Sequence, residues 1–61
     1  MSEEFYREIK YKLELNGKTI TWLAKFVGIS VPYTIDILKG KRTPKDRIET
    51  IKYILKAEGI I

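Results

Sequence analysis

LAKFVGISVPYTIDILKGKR, residues Leu23 to Arg42, reads as two short helices joined by a tight turn. Leu23-Ala24-Lys25-Phe26-Val27 ends the first helix, Gly28-Ile29-Ser30 is the turn, and the second helix runs from Val31 to Lys39 and stops at Gly40. Each piece has a physical reason. Ala24 is small where two helices must cross closely. Gly28 can take the left-handed conformation that ends a helix, which costs a residue with a Cβ about 1 kcal/mol or more. Ile29 has no polar role in a turn and is expected to plug the core. Ser30 is a good N-cap, because its hydroxyl accepts from amides that have no intrahelical partner. Thr34, Ile37 and Leu38 fall at i, i+3 and i+4 and give the second helix a buried stripe.

The remaining chain supplies the elements around this pair. Ser2 followed by Glu3 and Glu4 starts a helix: the hydroxyl caps, and the acids sit at the positive end of the dipole. Phe5, Ile9 and Leu13 form its core stripe with Tyr6 beside them, and Asn16-Gly17 ends it. Thr19 is the expected N-cap of the next helix, whose inner face is Ile20, Leu23, Ala24 and Val27. Thr43-Pro44-Lys45-Asp46 predicts a capping box for the last helix, with Thr43 as N-cap, Pro44 at N1 and Asp46 at N3. Ile48, Ile51 and Leu55 are its stripe, widened by Ile54 and bordered by Tyr53, and Gly59 is its stop. The fold class expected is all-α: one domain, residues 1–61, a compact bundle of four or at most five short helices around a central helix-turn-helix.

Composition narrows the function. The chain has 61 residues and neither cysteine nor histidine. That argues against a disulfide framework, the usual zinc sites and the commonest general base. Its glycines read as helix stops and form no phosphate loop. An enzyme is therefore not expected, nor a cofactor or metal. No apolar run approaches the roughly 20 residues that span a bilayer, and the acidic N-terminus lacks the pattern of a signal peptide. A cytoplasmic protein without membrane contact is expected.

The net charge of +4 is unevenly placed. Residues 39–47 hold Lys39, Lys41, Arg42, Lys45 and Arg47 against the single acid Asp46, which accounts for the whole excess. Such a loop beside a helix pair is an electrostatic footprint for a polyanion.

The stretch quoted above resembles the helix-turn-helix of the Cro/C1-type (phage repressor-like, XRE) DNA-binding family. Leu23, Ala24, Gly28, Ile29, Ser30, Ile37, Gly40, Lys41, Arg42 and Pro44 carry the likeness, which extends more loosely from about residue 5 to residue 59. It implies a lambda-repressor-like fold and a transcriptional regulator, a repressor of a phage or mobile-element promoter. It also implies a homodimer, at least on DNA, on a palindromic or pseudo-palindromic double-stranded operator. The helix at 31–39 would enter the major groove. Its first turn and outward face, Val31, Pro32, Tyr33, Ile35 and Asp36, would supply base contacts. The resemblance assigns the phosphate backbone to the loop at 39–45, through Lys39, Lys41, Arg42 and Lys45, and to the helix start at Thr19.

Three departures from the family pattern stand out. Relatives often carry a phosphate-binding Gln where Ile20 stands. The outward face of the second helix has no amide side chain and no base, and it bears an acid. Val31, Pro32 and Ile35 suit thymine methyls, and Tyr33 a phosphate or base edge. Asp36 either accepts from a cytosine amino group or pairs with Lys39 or Lys41. Finally, only Ile60 and Ile61 stand where many relatives have a fifth helix; they either tuck against the last helix or meet a second subunit.

Trp22 and Phe26, four apart, either enlarge the core or form an exposed patch for a partner. Together with Ile60 and Ile61 they are the candidate protein interface. They motivate a second hypothesis, a regulatory protein-interaction module on the same fold, such as an antirepressor or co-regulator.

Overall fold

The computed structural model describes residues 1–61. Four helices follow one another: α1 Glu3–Leu15, α2 Ile20–Val27, α3 Val31–Leu38 and α4 Lys45–Ala57. There is no strand, and the fold is all-α. None of the helices is long and apolar enough to cross a membrane.

The caps explain three of the four helix starts. Ser2 Oγ accepts from the Phe5 amide at 3.0 Å, Thr19 Oγ1 from Trp22 at 3.1 Å and Ser30 Oγ from Tyr33 at 3.2 Å. Each supplies an acceptor to a first-turn amide that the helix cannot satisfy itself. The turn between α2 and α3 is built as its residues require. Gly28 sits at a φ of 87°, and its amide and that of Ile29 both close on the Ala24 carbonyl, at 2.8 and 3.0 Å.

The start of α4 differs from the capping box expected. Pro44, at φ −73° and ψ 115°, is itself the N-cap and has no side-chain cap bond. Lys45 is therefore N1 and Asp46 N2. The extended ψ of Pro44 shifts the helix start by one residue, so Thr43 stands outside it. α3 also ends one residue early, at Leu38, with Lys39 as a C-cap that keeps right-handed helical dihedrals.

The core joins all four helices. Ile9 and Leu13 of α1, Ile20, Leu23 and Val27 of α2, Ile37 and Leu38 of α3, and Ile51, Ile54 and Leu55 of α4 form one buried cluster. Ile60 completes it at 3% exposure. α2 packs most extensively on α3, with α1 against α3 and α4 against α2. Ala24 is almost fully buried, as a close helix crossing demands. Ile29 is half-buried against the core edge. Thr34 is the one buried polar residue. Its hydroxyl donates to the Ser30 carbonyl at 2.8 Å, which removes the cost of burying it.

One expectation needs correction: Tyr53 does not border the core but stands out at 74% exposure. Of the two placements left open for Ile60, the chain takes the one against the last helix. After α4 the Ile60 amide closes on the Leu55 carbonyl at 2.8 Å. This turn folds the side chain back into the bundle, where burial of an isoleucine stabilises by about 1.5–3 kcal/mol. Ile61, at 45% exposure, stays outside.

Candidate nucleic-acid interface

α3 projects a face made of side chains that the core only partly claims. Pro32 is exposed. Val31, Tyr33 and Ile35 are half-buried and pack on the rim of the core, because α3 is short and apolar nearly all round. Each therefore keeps part of its surface for a ligand while its position is held by packing.

Asp36 is half-buried on the same face, and its ion partner is neither Lys39 nor Lys41. Its Oδ2 lies 3.6 Å from Nε of Arg42. The Arg42 guanidinium also lies over the Tyr33 ring, 5.7 Å from its centroid. The reason is the turn after α3. Gly40 takes a φ of 82°, its amide bonds the Ile37 carbonyl at 3.0 Å, and the Lys41 amide bonds that of Asp36 at 2.9 Å. The chain reverses there, so Arg42 reaches back along α3.

Lys39 is drawn elsewhere. Its Nζ is 3.9 Å from Glu3 and 5.0 Å from the centre of the Tyr6 ring. The side chain is only 25% exposed, and it braces the start of α1 instead of standing free in the loop. Lys41 and Lys45 are exposed, and neither has an ion pair.

A third cation, not assigned to the phosphate backbone from the sequence, joins them. Tyr33, Pro44, Lys45, Asp46 and Arg47 line an open groove of about 460 Å³ between the first turns of α3 and α4. Arg47 lies inside the basic run, and that charge clustering was the available signal. The uncapped start of α4 matters here. With no side chain accepting from them, the amides of Lys45, Asp46 and Arg47 point out of the helix end toward whatever anion approaches. At the start of α2, Thr19 spends its acceptor on the Trp22 amide, and its hydroxyl proton remains for a phosphate oxygen. Ile20 is buried and offers only its backbone.

The aromatic pair of α2 divides between its two readings. The rings of Trp22 and Phe26 lie 5.2 Å apart. Trp22 is half-buried and packs on the core, with Lys18 Nζ over its ring at 5.2 Å. Lys18 in turn pairs with Glu58 at 3.6 Å, which ties the end of α4 to the start of α2. Phe26 is 61% exposed. Phe26→Ala should therefore lower stability by less than about 1 kcal/mol, against the 3–5 kcal/mol of a buried phenylalanine. Urea unfolding of the two chains measures this directly, and a midpoint shift worth several kcal/mol would contradict the exposed placement.

The arrangement offers cations, free helix-end amides and a rimmed apolar face on adjoining surface. It contains no group of acids, histidines or cysteines arranged to hold a metal. No family model matches the chain, and no curated protein or solved structure matches it either.

Proposed function

We propose that this chain is a sequence-specific, DNA-binding transcriptional regulator of the Cro/C1-type. α3 lies in the major groove, α2 braces it from above, and Lys41, Lys45 and Arg47 with the first-turn amides of α4 hold the phosphate backbone. The observation that carries this reading is the pairing of two surfaces. Exposed, unpaired Lys45 lines a groove with Arg47 at the uncapped end of α4, exposed and unpaired Lys41 stands in the turn before that helix, and Tyr33 links that groove to the outward face of α3. Phosphate contacts fix register, and a rigid helix face beside them reads base edges. By analogy with the resembled family, the chain binds a two-fold symmetric operator as a homodimer, in the cytoplasm, and represses a phage or mobile-element promoter by occlusion.

The test is selection of duplexes from a random pool, followed by fluorescence anisotropy on the selected duplex and on a scramble of equal length. The selected site should bind at least ~10³-fold tighter than the scramble. With four or five phosphates neutralised per subunit, log K should fall with log salt at a slope of roughly −4 for each subunit and roughly −8 for the homodimer. Affinity of the dimer then drops by about five orders of magnitude between 50 and 200 mM salt. Equal binding of both duplexes would sink the proposal.

The exposed Phe26 beside Trp22 supports a second reading, in which the same fold docks on a regulatory protein. It predicts binding to DNA that is salt-sensitive and blind to sequence.

A further inference from the structure

The outward face of α3 has no base of its own, yet the turn at Gly40 lays the guanidinium of Arg42 onto it. Asp36 and Tyr33 stand three residues apart and therefore on one side of the helix. Between them they contact Arg42 on two sides. The carboxylate lies 3.6 Å from its Nε, and its guanidinium carbon lies over the phenol ring, 5.7 Å from the centroid. With the Nε edge turned to the carboxylate, the terminal pair of amino groups, on a side chain 62% exposed, is left for a ligand.

We infer that Arg42 is a base-reading residue that recognises guanine in the major groove, and that Asp36 is the positioning residue that orients it. The inference rests on the DNA-binding reading above. Two parallel N–H donors match the O6 and N7 acceptors that guanine presents there, and no other base offers that pair. The acid is what separates guanine from phosphate as the ligand. A carboxylate beside a phosphate-binding arginine cancels its charge and repels the incoming phosphate. Beside a guanine-reading arginine it repels little, because the base edge is a neutral dipole, and it holds the fork in register. Lys41 and Lys45 have no acid paired to them and suit phosphate. By the same logic Asp36 lowers affinity for DNA in general and so widens the gap between the operator and other sequence.

The experiment uses the full chain and the duplex selected from the random pool. Each guanine is replaced in turn by 7-deazaguanine, which lacks the N7 acceptor but keeps Watson–Crick pairing and charge. One guanine per half-site should cost the wild-type chain about tenfold in affinity. Arg42→Ala should show no loss on substituting that same guanine, and Arg42→Lys, which keeps a donor but not the fork, a smaller loss than the wild type. Asp36→Asn should bind the scramble severalfold more tightly while its preference for the selected site falls about tenfold. A purely structural role for Asp36 would instead weaken both duplexes alike. The inference is overturned if no guanine is sensitive, if the Arg42 variants keep the wild-type sensitivity, or if Asp36→Asn weakens both duplexes equally. A pool that yields no preferred duplex overturns the DNA-binding reading itself, and this inference with it.

Discussion

Lys41→Glu combined with Lys45→Glu is expected to weaken binding to every duplex about 10³-fold per bound subunit while leaving the fold intact. Both side chains are exposed, and neither takes part in an ion pair, so the bundle loses nothing it depends on. Lys45 is the first residue of α4, where an acid suits the helix dipole better than a base does. Stability should therefore hold or rise slightly. Binding behaves differently. Each phosphate contact contributes on the order of 1 kcal/mol at moderate salt, and a reversed charge adds a repulsion of similar size. Two reversals come to about 4 kcal/mol, or 10³ in affinity. The salt slope should fall from roughly −4 to roughly −2 per subunit, or from about −8 to about −4 for the homodimer, since two fewer counterions are released by each subunit. Anisotropy titrations at several salt concentrations read both numbers. A slope unchanged from the wild type would mean that the phosphates are held elsewhere on the surface.

Gly40→Ala is expected to lower stability by about 2–3 kcal/mol, a large share of what a domain of this size has. Two effects add. The first is the positive φ of 82°, which costs a residue with a Cβ about 1 kcal/mol or more. The second is steric. A Cβ at Gly40 would lie 3.1 Å from the Met1 carbonyl carbon and closer still to its oxygen. Backbone, not a flexible side-chain tip, stands in the way. Relief requires moving Met1 and Ser2, and Ser2 caps α1, a contribution of about 1 kcal/mol. Gly28→Ala provides the control. Its φ is 87°, but nothing lies within 4 Å of the added Cβ, so only the strain of about 1 kcal/mol should appear. Chemical denaturation of the two variants separates the terms, and equal losses would contradict the close approach at Gly40. The Gly40 variant should also weaken operator binding, because the same turn carries Arg42 back onto α3.

Local signals account for most of the architecture. Ser2, Thr19 and Ser30 cap because each precedes a run that can form a helix, and the hydroxyl needs only its own chain three residues on. The stripes are buried at Ile9 and Leu13, at Ile20, Leu23 and Val27, at Thr34, Ile37 and Leu38, and at Ile51, Ile54 and Leu55, with Phe5 and Ile48 half-buried at their edges, because a 3.6-residue period puts each set on one side of its helix whatever the partner. The ambiguity at Thr43 is local too. Thr-Pro-Lys-Asp fits a capping box, and so does a chain in which the proline itself stands just outside the helix; the ψ of Pro44 decides between them.

What local pattern cannot carry is the meeting of side chains that are far apart in sequence or separated by a turn. Lys39 reads as a member of a basic loop until the packing of α1 on α3 brings Glu3 and Tyr6 to it. Asp36 had Lys39 at i+3 as its obvious partner, but the reversal at Gly40 delivers Arg42. Ile60 stays undecided between core and interface until the turn after α4 closes on Leu55. The sequence by itself determined the four helices, their buried faces and a basic segment carrying the whole net charge, since these follow from short-range periodicity, capping and counting. Tertiary structure alone decided which cations stand free and which face carries the guanidinium, because those depend on where separate helices and the turns between them place charges within a few ångströms of each other.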